Sequence, residues 1–203
     1  MPAEHDMQRQ RGFTLIELMV AITVMALILF AALPSIGTWL DETRVRNVAD
    51  SIQNGLQTAR GEAIRRNQNM SFWLVTMADP GTLSDDCTLS STSGSWVVSI
   101  NSPLINCGKA PSTTVSPMIV TGRAVGGGRQ VTVSALQSDN ATAANSITFD
   151  GFGRVANAGP IGIVKVSATG TRELHVEISG AGAVRLCDHA VTDANDPRKC
   201  ALS

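Results

Sequence analysis

Tyrosine is absent from the 203-residue sequence, and aromatic residues together make up only 4% of it. The formal net charge is −1, so the chain as a whole does not attract polyanions, and any nucleic-acid site would have to be a local basic patch. Serine, threonine, alanine and glycine dominate the second half, a composition more typical of strands and turns than of a helical bundle. A chain of this length usually forms one domain with a core of its own.

The sequence also lacks a recognisable active site. Its three histidines, His5, His175 and His189, are scattered, and none has a nucleophile or a metal ligand at a familiar spacing. No C-x-x-C pair occurs, which disfavours a zinc site. The glycine run at 126–128 lacks the context of a phosphate loop and is interpreted as a turn. We therefore predict no catalytic residue, no metal and no cofactor.

Four cysteines fall in two separated pairs, Cys87 with Cys107 and Cys187 with Cys200. Four cysteines allow three pairings, of which this local one closes the shortest loops. The environment outside the cytoplasm is oxidising, which would favour both bonds. The alternative is that the cysteines are buried free thiols.

A nearly continuous apolar run begins at Phe13 and extends to Leu33. As a helix it would span about 30 Å, the thickness of the hydrocarbon core of a bilayer. The basic residues before it, Arg9 and Arg11, favour a cytoplasmic N-terminus and place the rest of the chain outside.

The carboxylate of Glu17 interrupts the start of this run. An acid in a membrane segment is costly, so by default it is a functional residue that needs a partner. A secretory signal peptide would not normally carry such an acid and would end in a small-x-small cleavage site, which the segment at 30–34 does not offer. An ordinary membrane anchor explains the apolar length, but it explains neither the acid nor the Gly12-Phe13 junction before it.

The segment from Arg11 to Glu17 (Arg-Gly-Phe-Thr-Leu-Ile-Glu) resembles the class III signal of type IV pilins and type II secretion pseudopilins. The resemblance implies that a membrane aspartyl prepilin peptidase cuts after Gly12 and methylates the new N-terminal Phe13. It also implies that Glu17 pairs with the terminal amine of a neighbouring subunit, in agreement with the need of a buried carboxylate for a buried cation. Pro34 matches a helix-kinking proline that is common in these proteins.

Apolar residues keep recurring three and four apart beyond Pro34 as far as Ala63. This spacing predicts one long helix from 13 to about 67, whose second half packs on a sheet. The arginines between the apolar positions are interpreted as a solvated helix face rather than a binding stripe: Arg44, Arg46, Arg60, Arg65 and Arg66.

Strand-type segments separated by Gly, Ser, Asn and Asp follow the helix. We predict strands near 70–77, 96–100, 113–120, 130–136, 145–149, 162–168, 173–179 and 183–187. The alternation at 174–178 is typical of a sheet with one wet face. Together with the resemblance, these segments predict an α+β fold class, the pilin fold, in which a long N-terminal helix packs on an antiparallel β-sheet head.

Three further segments narrow the resemblance to the GspH/FimT/FimU family. The stretch 57–67 is similar to that family's helix end, 147–155 to its F-x-x-x-G strand and turn, and 183–200 to a tail bridged by two cysteines. Secretion pseudopilins share the fold but generally lack the paired-cysteine tail, which favours a pilus over a secretion system.

Some proteins of this family bind DNA through a Gly-Arg-x-Arg motif near the C-terminus, because neighbouring guanidinium groups contact successive phosphates. Gly182 and Arg185 match the motif, but Ala183 replaces its first arginine. The candidate DNA-binding residues are therefore Arg185, Arg198 and Lys199. Three nearby aspartates would oppose DNA binding: Asp188, Asp193 and Asp196. DNA is thus a possible partner that we do not favour.

The predicted organisation is a prepilin leader at 1–12, a transmembrane or filament-core half of the helix at 13–35, and a periplasmic head at 36–203. Within the head, 36–67 completes the helix and 68–203 is β-rich. The resemblance implies a minor type IV pilin, not an enzyme, that primes pilus assembly in a complex of minor pilins at the tip. It would be a single-pass inner-membrane protein before assembly into the extracellular pilus.

The expected partners are other minor pilins, the major pilin, the prepilin peptidase and the inner membrane. Two alternatives remain: a DNA-binding minor pilin of natural transformation, and a GspH-like minor pseudopilin of a type II secretion system.

Overall fold

The protein is described by a computed structural model over residues 13–125 and 131–202, without the side chains of 30–36. The predicted leader, including Gly12, and the predicted turn at 126–128 lie outside the described residues. So does the side chain of Pro34, and the predicted kink there stays a prediction.

One long helix, α1, spans Leu15–Arg66 and contains 52 residues. It ends in the break expected near 67: Asn67 adopts a left-handed φ of 50°, its N–H bonds the carbonyl of Ile64, and the N–H of Gln68 bonds the carbonyl of Ala63. This pair of bonds is a Schellman cap, and asparagine tolerates the left-handed conformation that the cap requires. The predicted single helix is therefore confirmed.

The chain divides into two compact units at Trp39. The first contains the apolar start of α1, whose large side chains from Phe13 to Leu29 are exposed in the single chain. Among the described residues, no helix combines the length and apolarity needed to cross a membrane.

In the described residues of the second unit there are nine strands, all paired antiparallel, in two sheets. The first sheet has the order β2-β1-β3-β4, with β6 also pairing β1, and the second has the order β5-β7-β8-β9. The strands are β1 Met70–Thr76, β2 Thr88–Leu89, β3 Trp96–Ser99, β4 Ile119–Arg123, β5 Thr132–Leu136, β6 Ser146–Phe149, β7 Ile163–Ser167, β8 Leu174–Ile178 and β9 Val184–Asp188. The predicted α+β pilin fold is confirmed.

The core lies between one face of α1 and both sheets. The helix contributes buried side chains at the predicted three-and-four spacing: Val45, Val48, Ala49, Ile52, Leu56, Ala59 and Ala63. The sheets contribute residues such as Phe72, Phe149, Val166 and Val176 to the same cluster. A second apolar cluster surrounds Cys87 and Cys107, whose disulfide ties together the two irregular stretches on either side of β3.

The helix backbone approaches the first sheet closely at Gly55. A Cβ on this residue would lie 2.7 Å from the Phe72 ring and 2.8 Å from the Trp96 ring. The indole nitrogen of Trp96 also donates to the hydroxyl of Ser51 at 3.0 Å, which anchors the same helix face to β3. Glycine is thus required here by packing against rigid rings.

One predicted strand boundary and part of the predicted solvated helix face were wrong. The predicted strand at 113–120 begins only at Ile119, because Ser112 accepts the N–H groups of Thr114 and Val115 in a local turn and Pro117 has no N–H for a sheet. Arg60 and Arg66 are not part of a solvated face. Both are partly buried: the Nε of Arg60 donates to the Gly153 carbonyl at 3.0 Å, and the Nε of Arg66 donates to the Glu62 carboxylate at 2.7 Å.

Candidate functional site: the C-terminal tail and the start of the helix

The C-terminal tail, residues 189–202 after β9, covers the face of β8 that points away from α1. Val176 and Ile178 enter the core, whereas the alternate residues His175 and Glu177 face the tail and are also buried. A disulfide between Cys187 and Cys200 closes the tail into a loop beside them. The prediction of one wet face at 174–178 is therefore wrong, because a segment distant in sequence shields that face.

The carboxylate of Glu177 holds the end of the tail. It accepts the backbone N–H groups of Ala201 at 3.0 Å and Leu202 at 2.6 Å, together with the guanidinium of Arg185. Burial raises the pKa of Glu177, but the two N–H groups and the guanidinium outweigh it and leave the pKa below its usual value. The buried carboxylate is therefore ionised, and it accepts hydrogen bonds from both Arg185 of β9 and the end of the tail.

Two of the three candidate DNA-binding residues form ion pairs with carboxylates of the same chain. Arg185 bonds Glu177, and Arg198 bonds both carboxylate oxygens of Asp196 at 3.1 and 2.6 Å. The hydrogen bond from the Arg198 side chain is the main cause that lowers the pKa of Asp196 to about 2. Within the described ranges, the ammonium of Lys199 makes no ion pair, and it lines an open hollow with Arg185 and Asp196.

The glycine of the partial Gly-Arg-x-Arg motif has a structural explanation. Gly182 has a φ of 80° in the turn between β8 and β9, and a Cβ there would lie 2.0 Å from the Gly153 carbonyl oxygen. Ala183 follows it and is exposed. The motif's glycine is therefore needed for the turn and for the close approach of the 150–154 loop.

At the other end of the chain, Thr14 and Glu17 cap the helix. The Glu17 carboxylate accepts the N–H and the hydroxyl of Thr14, both at 3.4 Å, and the N–H of Glu17 donates to the Thr14 hydroxyl at 3.3 Å. This is a capping box, whose signature Thr-x-x-Glu is readable in the sequence but was missed there. Phe13 precedes the cap and is 87% exposed.

A capped apolar helix that continues into a double-sheet head, with a bridged tail, is the architecture of a pilin-like subunit. The family model "Type II transport protein GspH" matches residues 48–182, and the prokaryotic N-terminal methylation motif matches residues 7–33. The first match covers more than half of the chain, so this chain belongs to the GspH family. The family expected from the sequence is confirmed.

Two solved structures are similar to this chain. Both are crystal structures of the type IV minor pilin FimU from Pseudomonas aeruginosa (strain PAO1), in different crystal forms. One is 15% identical, with 73% of this chain and 91% of that chain covered and a TM-score of 0.46. The other is 16% identical, with 70% and 90% covered and a TM-score of 0.42. No curated protein sequence matches at a significant level.

Proposed function

We propose that this chain is a minor type IV pilin, a structural subunit that primes pilus assembly within a complex of minor pilins at the tip. The observation that carries the proposal is the apolar start of α1, which follows the methylation motif and exposes large side chains along its whole described length. Apolar side chains exposed along a helix need lipid or other helices to bury them. Packing, not catalysis, is the activity that this surface supports.

Assembly would exchange one apolar environment for another. Before assembly the start of α1 would lie in the inner membrane, and afterwards among the helices of other subunits. Prepilin peptidase would cut after Gly12, and the methylated amine of Phe13 would meet the Glu17 carboxylate of a neighbour. Among the residues from Phe13 onward that the structure describes, this carboxylate has only the long capping contacts to Thr14, which leave it capacity for a cation. A charge pair made only between subunits would also set their register.

The family name points to type II transport, so a secretion pseudopilin is the first alternative. The feature that favours a pilus is the bridged tail between Cys187 and Cys200, which secretion pseudopilins generally lack. DNA reception is the second alternative. It is weakened because Arg185 and Arg198 each bond a carboxylate, while the motif's other arginine is replaced by Ala183.

The test is deletion of the gene, with complementation by the wild-type chain. We expect few or no surface pili after deletion, restored piliation on complementation, and unchanged export of type II secretion substrates. Mass spectrometry of sheared pili should find the chain at low copy number, beginning at N-methylated Phe13. Normal piliation together with lost secretion would instead assign the chain to a secretion pseudopilus.

A further inference from the structure

The pairing of β8 with β9 brings together three side chains that the sequence keeps apart. The register places His175 opposite Cys187 and Leu174 opposite Asp188, so Glu173 lies opposite His189 at the strand end. The N–H of His189 donates to the Glu173 carbonyl at 3.2 Å and holds this register. Because side chains alternate along a strand, Glu173, His175 and His189 lie on one face.

These three side chains converge. The Glu173 carboxylate lies 2.5 Å from Nε2 of His175, and the rings of His175 and His189 stack with their centroids 4.8 Å apart. One nitrogen or oxygen from each of the three residues lies within 4.8 Å of the other two. Zinc-type ions bind such atoms at about 2 Å, so the Glu173 carboxylate and the exposed His189 ring would both move to let all three contact one ion.

The two ring nitrogens of His175 have different surroundings. The His175 side chain is 1% exposed, and its Nδ1 is buried without a hydrogen-bond partner in the described part of the chain. Because the Glu173 carboxylate contacts Nε2, Nε2 is the nitrogen that would face the ion, and Nδ1 stays unpaired on the other side of the ring.

We propose that Glu173, His175 and His189 bind a divalent transition metal ion of the zinc class. Two imidazoles and a carboxylate are donors that zinc and cobalt accept, with water in the remaining position. Calcium and magnesium prefer shells made of oxygen alone and suit this set poorly. The ion would tie the beginning of the tail to β8, while the disulfide ties its end.

The nearby sulfur atoms do not belong to this site. His175, Cys187 and Cys200 also lie close enough to hold an ion, but the two sulfurs are bonded to each other. Thiolates are the form that binds metals, and a disulfide offers none. The ligand set of the oxidised chain is therefore the carboxylate and the two imidazoles.

The test uses the full-length chain in detergent, with no polyhistidine tag and with both disulfides verified by thiol titration. Calorimetric titration with Zn²⁺ should give one ion per chain, and Co²⁺ should produce visible ligand-field absorption that excess Zn²⁺ removes. His189→Gln should weaken Zn²⁺ binding by at least about tenfold, as should Glu173→Gln. Asp193→Asn removes an acid from the same tail outside the cluster and should leave the affinity unchanged.

Thermal unfolding supplies a second measurement that depends on an intact fold. Zn²⁺ should raise the Tm of the wild type and of Asp193→Asn, whereas the Tm of His189→Gln should be the same with and without Zn²⁺. Equal Zn²⁺ affinity in wild type and His189→Gln would overturn the proposal. Binding that appears only after the disulfides are reduced would also overturn it and would assign the metal to the cysteines.

Discussion

The guanidinium of Arg185 donates from both Nε and Nη2 to one oxygen of Glu177, Oε2, at 3.0 and 2.7 Å. The arginine side chain is 45% exposed, whereas the carboxylate is buried under the tail. The residue that best matches a DNA-binding arginine therefore neutralises a buried charge. This single pair links the question of DNA binding to the stability of the tail.

The pair predicts that the wild-type chain does not retain duplex DNA in a gel-shift assay, even at low salt, because phosphate affinity depends on the number of available cations. Ala183→Arg adds a guanidinium at an exposed position and completes the Gly-Arg-x-Arg motif, so it should produce salt-sensitive binding. Ala181→Arg makes the same charge change two residues away and should have a weaker effect. Retention of DNA by the wild type at low salt would revive the DNA alternative.

Removing the charge of Glu177 should loosen the tail. Glu177→Gln leaves Arg185 without its anion and weakens the hydrogen bonds from Ala201 and Leu202, which we expect to cost about 1–3 kcal/mol of unfolding free energy. Denaturant titration measures this loss. Arg198→Gln breaks an exposed ion pair in the same tail and should leave the midpoint unchanged. An unchanged midpoint in Glu177→Gln would show that the disulfide alone holds the tail.

The pH dependence of stability should change in the same variant. The pKa of Glu177 in the folded chain lies below its usual value of 4.5, so its ionised form stabilises the fold above that pH. As the pH falls below 4.5, Glu177 becomes protonated first in the unfolded chain, so the unfolded chain binds more protons than the folded one. The stabilisation is therefore lost progressively until the pH has fallen through the lower pKa of the folded chain. Between pH 7 and pH 3 the wild type should therefore lose more unfolding free energy than Glu177→Gln. Parallel losses would contradict the role of the carboxylate.

Two glycines of α1 should respond to alanine with opposite signs. At Gly61 an added Cβ meets nothing within 4 Å, so Gly61→Ala should stabilise the protein by about 0.5–1 kcal/mol through helix propensity. At Gly55 the same Cβ would overlap the rings of Phe72 and Trp96, so Gly55→Ala should destabilise it by about 1–3 kcal/mol. Thermal unfolding of the two variants compares them directly. Stabilisation by both would mean that the helix can move away from the first sheet.

Variants at Glu17 and Thr14 can separate a helix cap from a pairing between subunits. Glu17→Gln retains a side chain that can cap but removes the charge, so it should still be cleaved after Gly12 yet fail to enter pili. Thr14→Ala removes the capping hydroxyl, which costs about 1 kcal/mol locally, and should still be incorporated. Immunoblots of sheared pili and of membranes measure both steps. Exclusion of Thr14→Ala to the same degree would favour a purely local role for the carboxylate.

Features of the fold that arise from neighbours in sequence were predictable. The spacing from Val45 to Ala63 predicts the buried face of α1, and the Asn-Gln-Asn segment after Arg66 predicts its end, since both depend on contacts within a few turns of helix. Most strands were predicted from strand-type segments that lie between turn residues. The strand expected at 113–120 failed, because local hydrogen bonds of Ser112 compete with the sheet.

By itself, the amino-acid sequence determined the long helix, its apolar start with the methylation motif, and the family. Only the tertiary structure decided that Arg60 bonds the Gly153 carbonyl, that Arg185 serves Glu177, and that His175 lies against His189. Helix periodicity and caps depend on residues a few positions apart, whereas these contacts depend on the packing of α1 against the 150–154 loop and on the register of β8 with β9. They also depend on a tail that folds back over β8 and buries charges that the sequence pattern assigns to solvent.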